Sequence, residues 1–190
     1  MTDFEFIFVF YALLLGLSMV ELLSGFGRTI ENEFETDAKD RTFTMGWLTP
    51  LLGLFVLLDL LSFWVFAWSV RNLVEVSPVM LLGVTAFTAA YYLAARLVFP
   101  TNPERFRDLD THFFRVRRTV MGILIALVFV QWAYIASIPA LYEAAINATT
   151  IGLTAFLVLM MGAVMVFTNR LVQALLLTGL CLRYLVIYLT

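Results

Sequence analysis

Six apolar runs, each near membrane length and separated by short polar connections, decide what this chain can become. A hydrocarbon core roughly 30 Å thick needs about 20 apolar residues of helix to cross it. Inside lipid every backbone N–H and C=O must find its partner within the protein, so a crossing segment of this kind is a helix. The runs lie at about 5–26, 45–70, 78–99, 119–142, 149–167 and 171–189. They read as an all-α polytopic membrane protein, six transmembrane helices in one bundle, a single transmembrane domain over residues 1–190. Composition leaves no soluble reading: 62% of residues are hydrophobic and 14% charged, where ordinary globular domains carry about 25% charged residues.

Orientation follows from where the basic residues fall. The stretch Pro100–Arg118, PTNPERFRDLDTHFFRVRR, holds Arg105, Arg107, Arg115, Arg117 and Arg118, five of the twelve lysines and arginines. It separates three spans from three spans. The connections on its side of the membrane also contain Arg28, Lys39, Arg41 and Arg170, whereas the opposite side carries only Arg71. Short basic loops stay cytoplasmic, which puts both termini outside, in a bacterium the periplasm. The start, MTDFEFIF, is acidic and lacks the basic n-region of a cleavable signal peptide, so it reads as part of the mature protein. Gly25 and Gly27 ahead of Arg28 mark the exit of the first span. The acidic stretch Arg28–Thr44 fits a short surface helix, because Ile30 and Phe34 are spaced i, i+4; it fits a solvated loop equally well. Pro50 falls in the first turns of the second span, where backbone N–H groups lack partners anyway.

An ionisable residue within a span asks for a partner, since leaving it unpaired costs at least a few kcal/mol. Counting residues from the cytoplasmic ends sorts the polar groups by depth. Glu21 and Arg96 fall near the cytoplasmic side and form one candidate pair. Asp59, Gln131 and Arg183 fall near the midplane and form a second polar layer, with Asp59 and Arg183 as an ion pair. Such pairs often do no more than fix helix register. Arg96 also has the reach to snorkel to headgroups, and Asp59 is of the kind that marks proton or ion pathways. Against that, a neighbouring guanidinium keeps a carboxyl ionised. The arginine cluster, Arg105, Arg107, Arg115, Arg117 and Arg118, suits anionic lipid headgroups or a protein partner. The alternating Asp108, Asp110 and His112 make a poor metal site and read better as a solvated loop. The tryptophans and the pair Tyr91–Tyr92 read as interface anchors. Gly152 and Gly162, with Ala155 and Ala163, read as a close-packing helix face. One cysteine, Cys181, and one histidine, His112, exclude an intrachain disulfide and a haem held by two histidines of the same chain. No hydrolase elbow, zinc motif or nucleotide fingerprint is present. The reading leans away from an enzyme, expects no cofactor or metal, and excludes nucleic acid as a partner because acids dilute the basic field.

Several of these runs resemble a widespread group of small bacterial inner-membrane proteins that carries no assigned activity. The shared features are the Phe4–Phe6 triplet, Leu15–Leu17, the Gly25–Arg28 exit, the aromatic Phe63–Trp68, the Leu97–Pro100 exit and Asp108–Arg118. The resemblance covers about two thirds of the chain. The acidic first connection departs from it, and the last two spans show no match. It implies an inner-membrane location and lends no chemistry. Two functional classes fit the residues, and small size, absent catalytic motifs and a charge-balanced interior favour the first, with the second as the alternative. One is a structural or accessory subunit that binds lipid, a membrane-protein partner or a second copy of itself. The other is a small channel or transporter with a midplane site at Asp59, Gln131 and Arg183. A vestibule reaching Asp59 from one side favours the second, and a dry, fully paired layer favours the first.

Overall fold

Seven α-helices form among residues 3–38, 44–73 and 76–189, which are those described by the structure, a computed structural model. In chain order they are α1 (Asp3–Ala38), α2 (Leu48–Ser69), α3 (Pro78–Val98), α4 (Leu109–Ser137), α5 (Pro139–Ala145), α6 (Ala148–Val166) and α7 (Arg170–Leu189). All but the short α5 are long and apolar enough to cross a membrane. The molecule is therefore a multi-pass integral membrane protein, and its six long helices alternate in direction. The ends of α1, α3 and α6 and the starts of α2, α4 and α7 meet at the arginine-rich end.

The first helix differs from its sequence reading. It does not stop at Gly25 and Gly27 but runs 36 residues to Ala38, about 54 Å at 1.5 Å per residue. Its last third therefore projects beyond a hydrocarbon core, and most of the acidic stretch after Arg28 is its continuation. Neither glycine ends the helix, because no proline follows to block it and Gly25 answers a packing demand. A Cβ there would sit 2.6 Å from the Cβ of Phe99. Gly53 on α2 meets the ring of the same phenylalanine. The expected glycine face on α6 is not used this way: a Cβ at Gly152 or Gly162 would touch nothing within 4 Å.

Helix starts follow standard local chemistry. Ser77, Asp108 and Asn147 each accept a backbone N–H from the first turn of α3, α4 and α6, at 3.1, 2.8 and 2.8 Å, satisfying donors that the helix itself cannot. Pro139 breaks α4 from α5. The N-terminus of α2 has no cap of its own, and Asp110 provides one from α4, its Oδ1 accepting the Leu48 N–H at 3.1 Å. Gly46, at φ 63°, lets the approaching strap pass beside the Asp110 carboxylate, where any side chain would collide.

Two four-helix rings share one seam. α1, α2, α3 and α4 surround one interior, and α2, α4, α6 and α7 surround the other. The seam between α2 and α4 belongs to both. Towards the arginine-rich end the second ring is solid: Leu52, Phe55, Leu124, Met161, Leu177 and Leu180 are all 0% exposed.

Candidate functional site: a polar cavity at mid-depth

Halfway along α2, Asp59 is 1% exposed and fully engaged. The Tyr184 hydroxyl donates to its Oδ1 at 2.5 Å. The Tyr91 hydroxyl lies 3.2 Å from its Oδ2 and 2.6 Å from the Val56 carbonyl, so one proton is shared between two acceptors. These tyrosines do what the sequence assigned to Arg183. Tyr91 is 0% exposed rather than an interface anchor, because its position on α3 faces the seam. Arg183 makes no ion pair with Asp59. Its guanidinium lies over the Tyr184 ring, 4.9 Å from the centroid, and its buried Nε and Nη1 have no hydrogen-bond partner among the described residues.

All three residues of the expected midplane layer nevertheless line one space. A cavity of about 290 Å³ inside the second ring is bounded by Asp59 and Ser62 on α2, Gln131 and Trp132 on α4, Thr154 on α6, and Arg183, Tyr184 and Tyr188 on α7. A neighbouring cavity of about 310 Å³ shares Phe66, Gln131, Trp132 and Thr154 with it and reaches Leu141 and Ala145 on α5. Together they run from Asp59 to the end opposite the arginines. In the first ring lies an apolar cavity of about 420 Å³, lined by Phe4, Phe8, Tyr11, Phe63 and Met80 among others. Gln131 and Phe66, on the seam, border all three.

At the arginine-rich end the charged residues tie helices together. Arg96 donates to Glu21 Oε1 at 2.8 Å, with Arg28 3.6 Å from the same oxygen. Arg170 bridges to Asp108 at 2.7 Å and to Asp110 at 3.4 Å. Asp108, Asp110 and His112 are not a solvated loop: Asp108 caps α4, Asp110 caps α2, and His112 Nε2 lies 3.1 Å from the Leu97 carbonyl.

The arginine cluster divides. Arg105, Arg107, Arg115 and Arg118 are exposed, but Arg117 is 3% exposed and turned away from headgroups. Its Nη1 donates to the carbonyls of Val164 and Phe167 at the end of α6. Gln173, which the sequence reading passed over, donates to the same two oxygens, and Arg118 reaches Met165 O at 3.1 Å. Helix C-termini leave carbonyls without partners, and here the Val164 oxygen is buried, so side chains rather than water satisfy it. Three side chains close that end of α6.

Fold and site define a six-span integral membrane protein with a polar cavity at mid-depth. No family model matches the chain, and neither does any curated protein or solved structure.

Proposed function

We propose that this protein is a small channel or transporter of the bacterial inner membrane, with its solute site at Asp59, Gln131 and Arg183. The observation that carries this reading is the pair of adjoining cavities leading from α5 to Asp59, while the same ring is packed solid towards the arginines. A structural bundle gains nothing from such a space, since an unfilled interior forfeits packing contacts, and a one-sided vestibule is half of an alternating-access cycle. The bias of lysine and arginine puts the sealed end in the cytoplasm and the vestibule on the periplasmic side. The resemblance of the first three spans and the central loop to small inner-membrane proteins supports the same location.

Sealed proteoliposomes test this. Ion and solute flux from wild-type protein, abolished by Thr154→Trp in a variant that melts normally, is the expected result, because Thr154 borders both cavities. Absence of flux from wild type under any imposed gradient overturns the reading. A second reading, an accessory subunit that binds anionic lipid or a partner, draws on the exposed Arg105, Arg107 and Arg115. It gains if a partner or lipid co-purifies and is lost on replacing those three by glutamine.

A further inference from the structure

Two polar side chains in the mid-depth cavity have hydrogen-bonding capacity that the protein leaves unused. Arg183 lines it with a guanidinium that makes no hydrogen bond among the described residues; Nε and Nη1 are closed off by protein atoms, and Nη2 is not. Gln131, on the facing helix, makes no side-chain hydrogen bond among the described residues. The acid that would ordinarily neutralise Arg183 is occupied, as both oxygens of Asp59 are held by tyrosine hydroxyls. The remaining lining adds no second carboxylate, and the hydroxyls of Ser62, Thr154 and Tyr188 already donate to the carbonyls of Asp59, Thr150 and Leu58. Buried guanidinium donors without an acceptor are costly in a low-dielectric interior, and a cation in a membrane span is retained where something pairs with it. The protein offers it the face of Tyr184 and, without a hydrogen bond, the charge of Asp59.

We infer that the cavity binds an anionic oxygen group, a carboxylate or phosphate, at Nη2 of Arg183, with the Gln131 amide as a second donor. The Nη2 N–H groups carry the guanidinium charge and offer such a group a charge-assisted hydrogen bond. A volume of about 290 Å³ accommodates a small acid. The site inherits its entrance from the vestibule and thus rests on the proposed transport reading for its purpose, though not for its chemistry.

Trp132 lines the cavity and can report on it without any flux measurement. A variant with Trp47, Trp64 and Trp68 changed to Phe leaves it as the sole tryptophan. Iodide, an anion, should then quench Trp132 about tenfold more effectively than in the same background carrying Arg183→Gln, the loss expected for one charge-assisted contact. Neutral acrylamide should quench both alike. Acetate or phosphate should protect against iodide. In the unmodified sequence the same anions should raise the melting temperature, an effect that Arg183→Gln removes and that Arg105→Gln with Arg107→Gln and Arg115→Gln retains. The melt decides the matter if the tryptophan variant does not fold. Protection by acetate or phosphate in lipid-free detergent identifies a free solute. Protection only by phosphatidylglycerol in mixed micelles identifies a headgroup, and either result upholds the site. Iodide quenching unchanged by Arg183→Gln, or anion stabilisation that survives it, overturns the inference. Anion binding without flux would refute transport and leave the site standing, whereas flux from a protein whose melting and quenching no anion alters would do the reverse.

Discussion

Arg117 and Gln173 approach the same two carbonyls, those of Val164 and Phe167, from different helices. This redundancy makes a quantitative prediction. Arg117→Met removes one donor from each carbonyl but leaves the Gln173 amide in place, 2.9 Å from Val164 O. Gln173→Met leaves Arg117 in place. Each single change therefore costs only the net value of the bonds lost, about 1–2 kcal/mol. For Arg117 it is further offset because a buried cation is removed. The double variant strips Val164 O of both donors at a site where water does not replace them, adding the desolvation penalty of an orphaned acceptor, about 1–3 kcal/mol. The double variant should be less stable than the two singles predict by about 2 kcal/mol. Equilibrium unfolding in mixed micelles, with denaturing detergent as the variable, measures all four corners of the cycle. Additivity within about 0.5 kcal/mol would show that the shared carbonyls are not what the two side chains hold in place.

The remaining expectations concern packing and the capping network. Gly25→Ala should lower stability by about 1–3 kcal/mol, since its new methyl meets the Phe99 Cβ at the root of that side chain, where no rotamer change relieves it. Gly152→Ala, with open space around it, should be neutral or stabilising by up to about 1 kcal/mol from helix propensity; thermal melts separate the two. Asp110→Ala should cost about 1–2 kcal/mol by uncapping α2, while Asp110→Asn, which keeps an acceptor for Leu48, should recover most of it. Glu21→Gln breaks a half-exposed pair and should shift the melt by no more than about 1 kcal/mol.

Depth along a helix was legible in the sequence, and rotation about its axis was read too little. Residue counts from the span ends put Asp59, Gln131 and Arg183 at one level, and the structure has all three around one cavity. Partner choice depends on which way each side chain faces, and that information lay in periodicity. On α7 the buried residues are Gln173, Leu177, Leu180, Cys181 and Tyr184, a stripe at spacings of three and four. It turns Tyr184 inward onto Asp59 and leaves Arg183 beside it at the rim. On α4 the inward stripe includes Asp110, Phe113, Arg117, Val120, Met121 and Leu124. Followed down the helix, it separates Arg117 from its exposed neighbours, although composition groups all five arginines together. The long α1 escaped for another reason: glycine is read locally as a terminator, while Gly25 is fixed by Phe99, more than seventy positions away in the chain.

The exchange of Arg183 for two tyrosines at Asp59 bears directly on function. A guanidinium ion pair would have consumed both charges and produced the dry, paired layer expected of a purely structural bundle. Tyrosine hydroxyls instead hold the carboxylate oxygens, and the arginine acts on Asp59 through its charge without a hydrogen bond. Arg183 is left in the same cavity as the Gln131 amide, at the point where the seam between the two rings borders three neighbouring spaces. Register alone does not require that arrangement, because Tyr91 and Tyr184 already tie α3 and α7 to α2. Arg183 is thus surplus to what holds the helices together, and a surplus cation at mid-membrane is costly to retain. A ligand with an acceptor for Nη2 would account for its presence, and the cavity beside it provides the room.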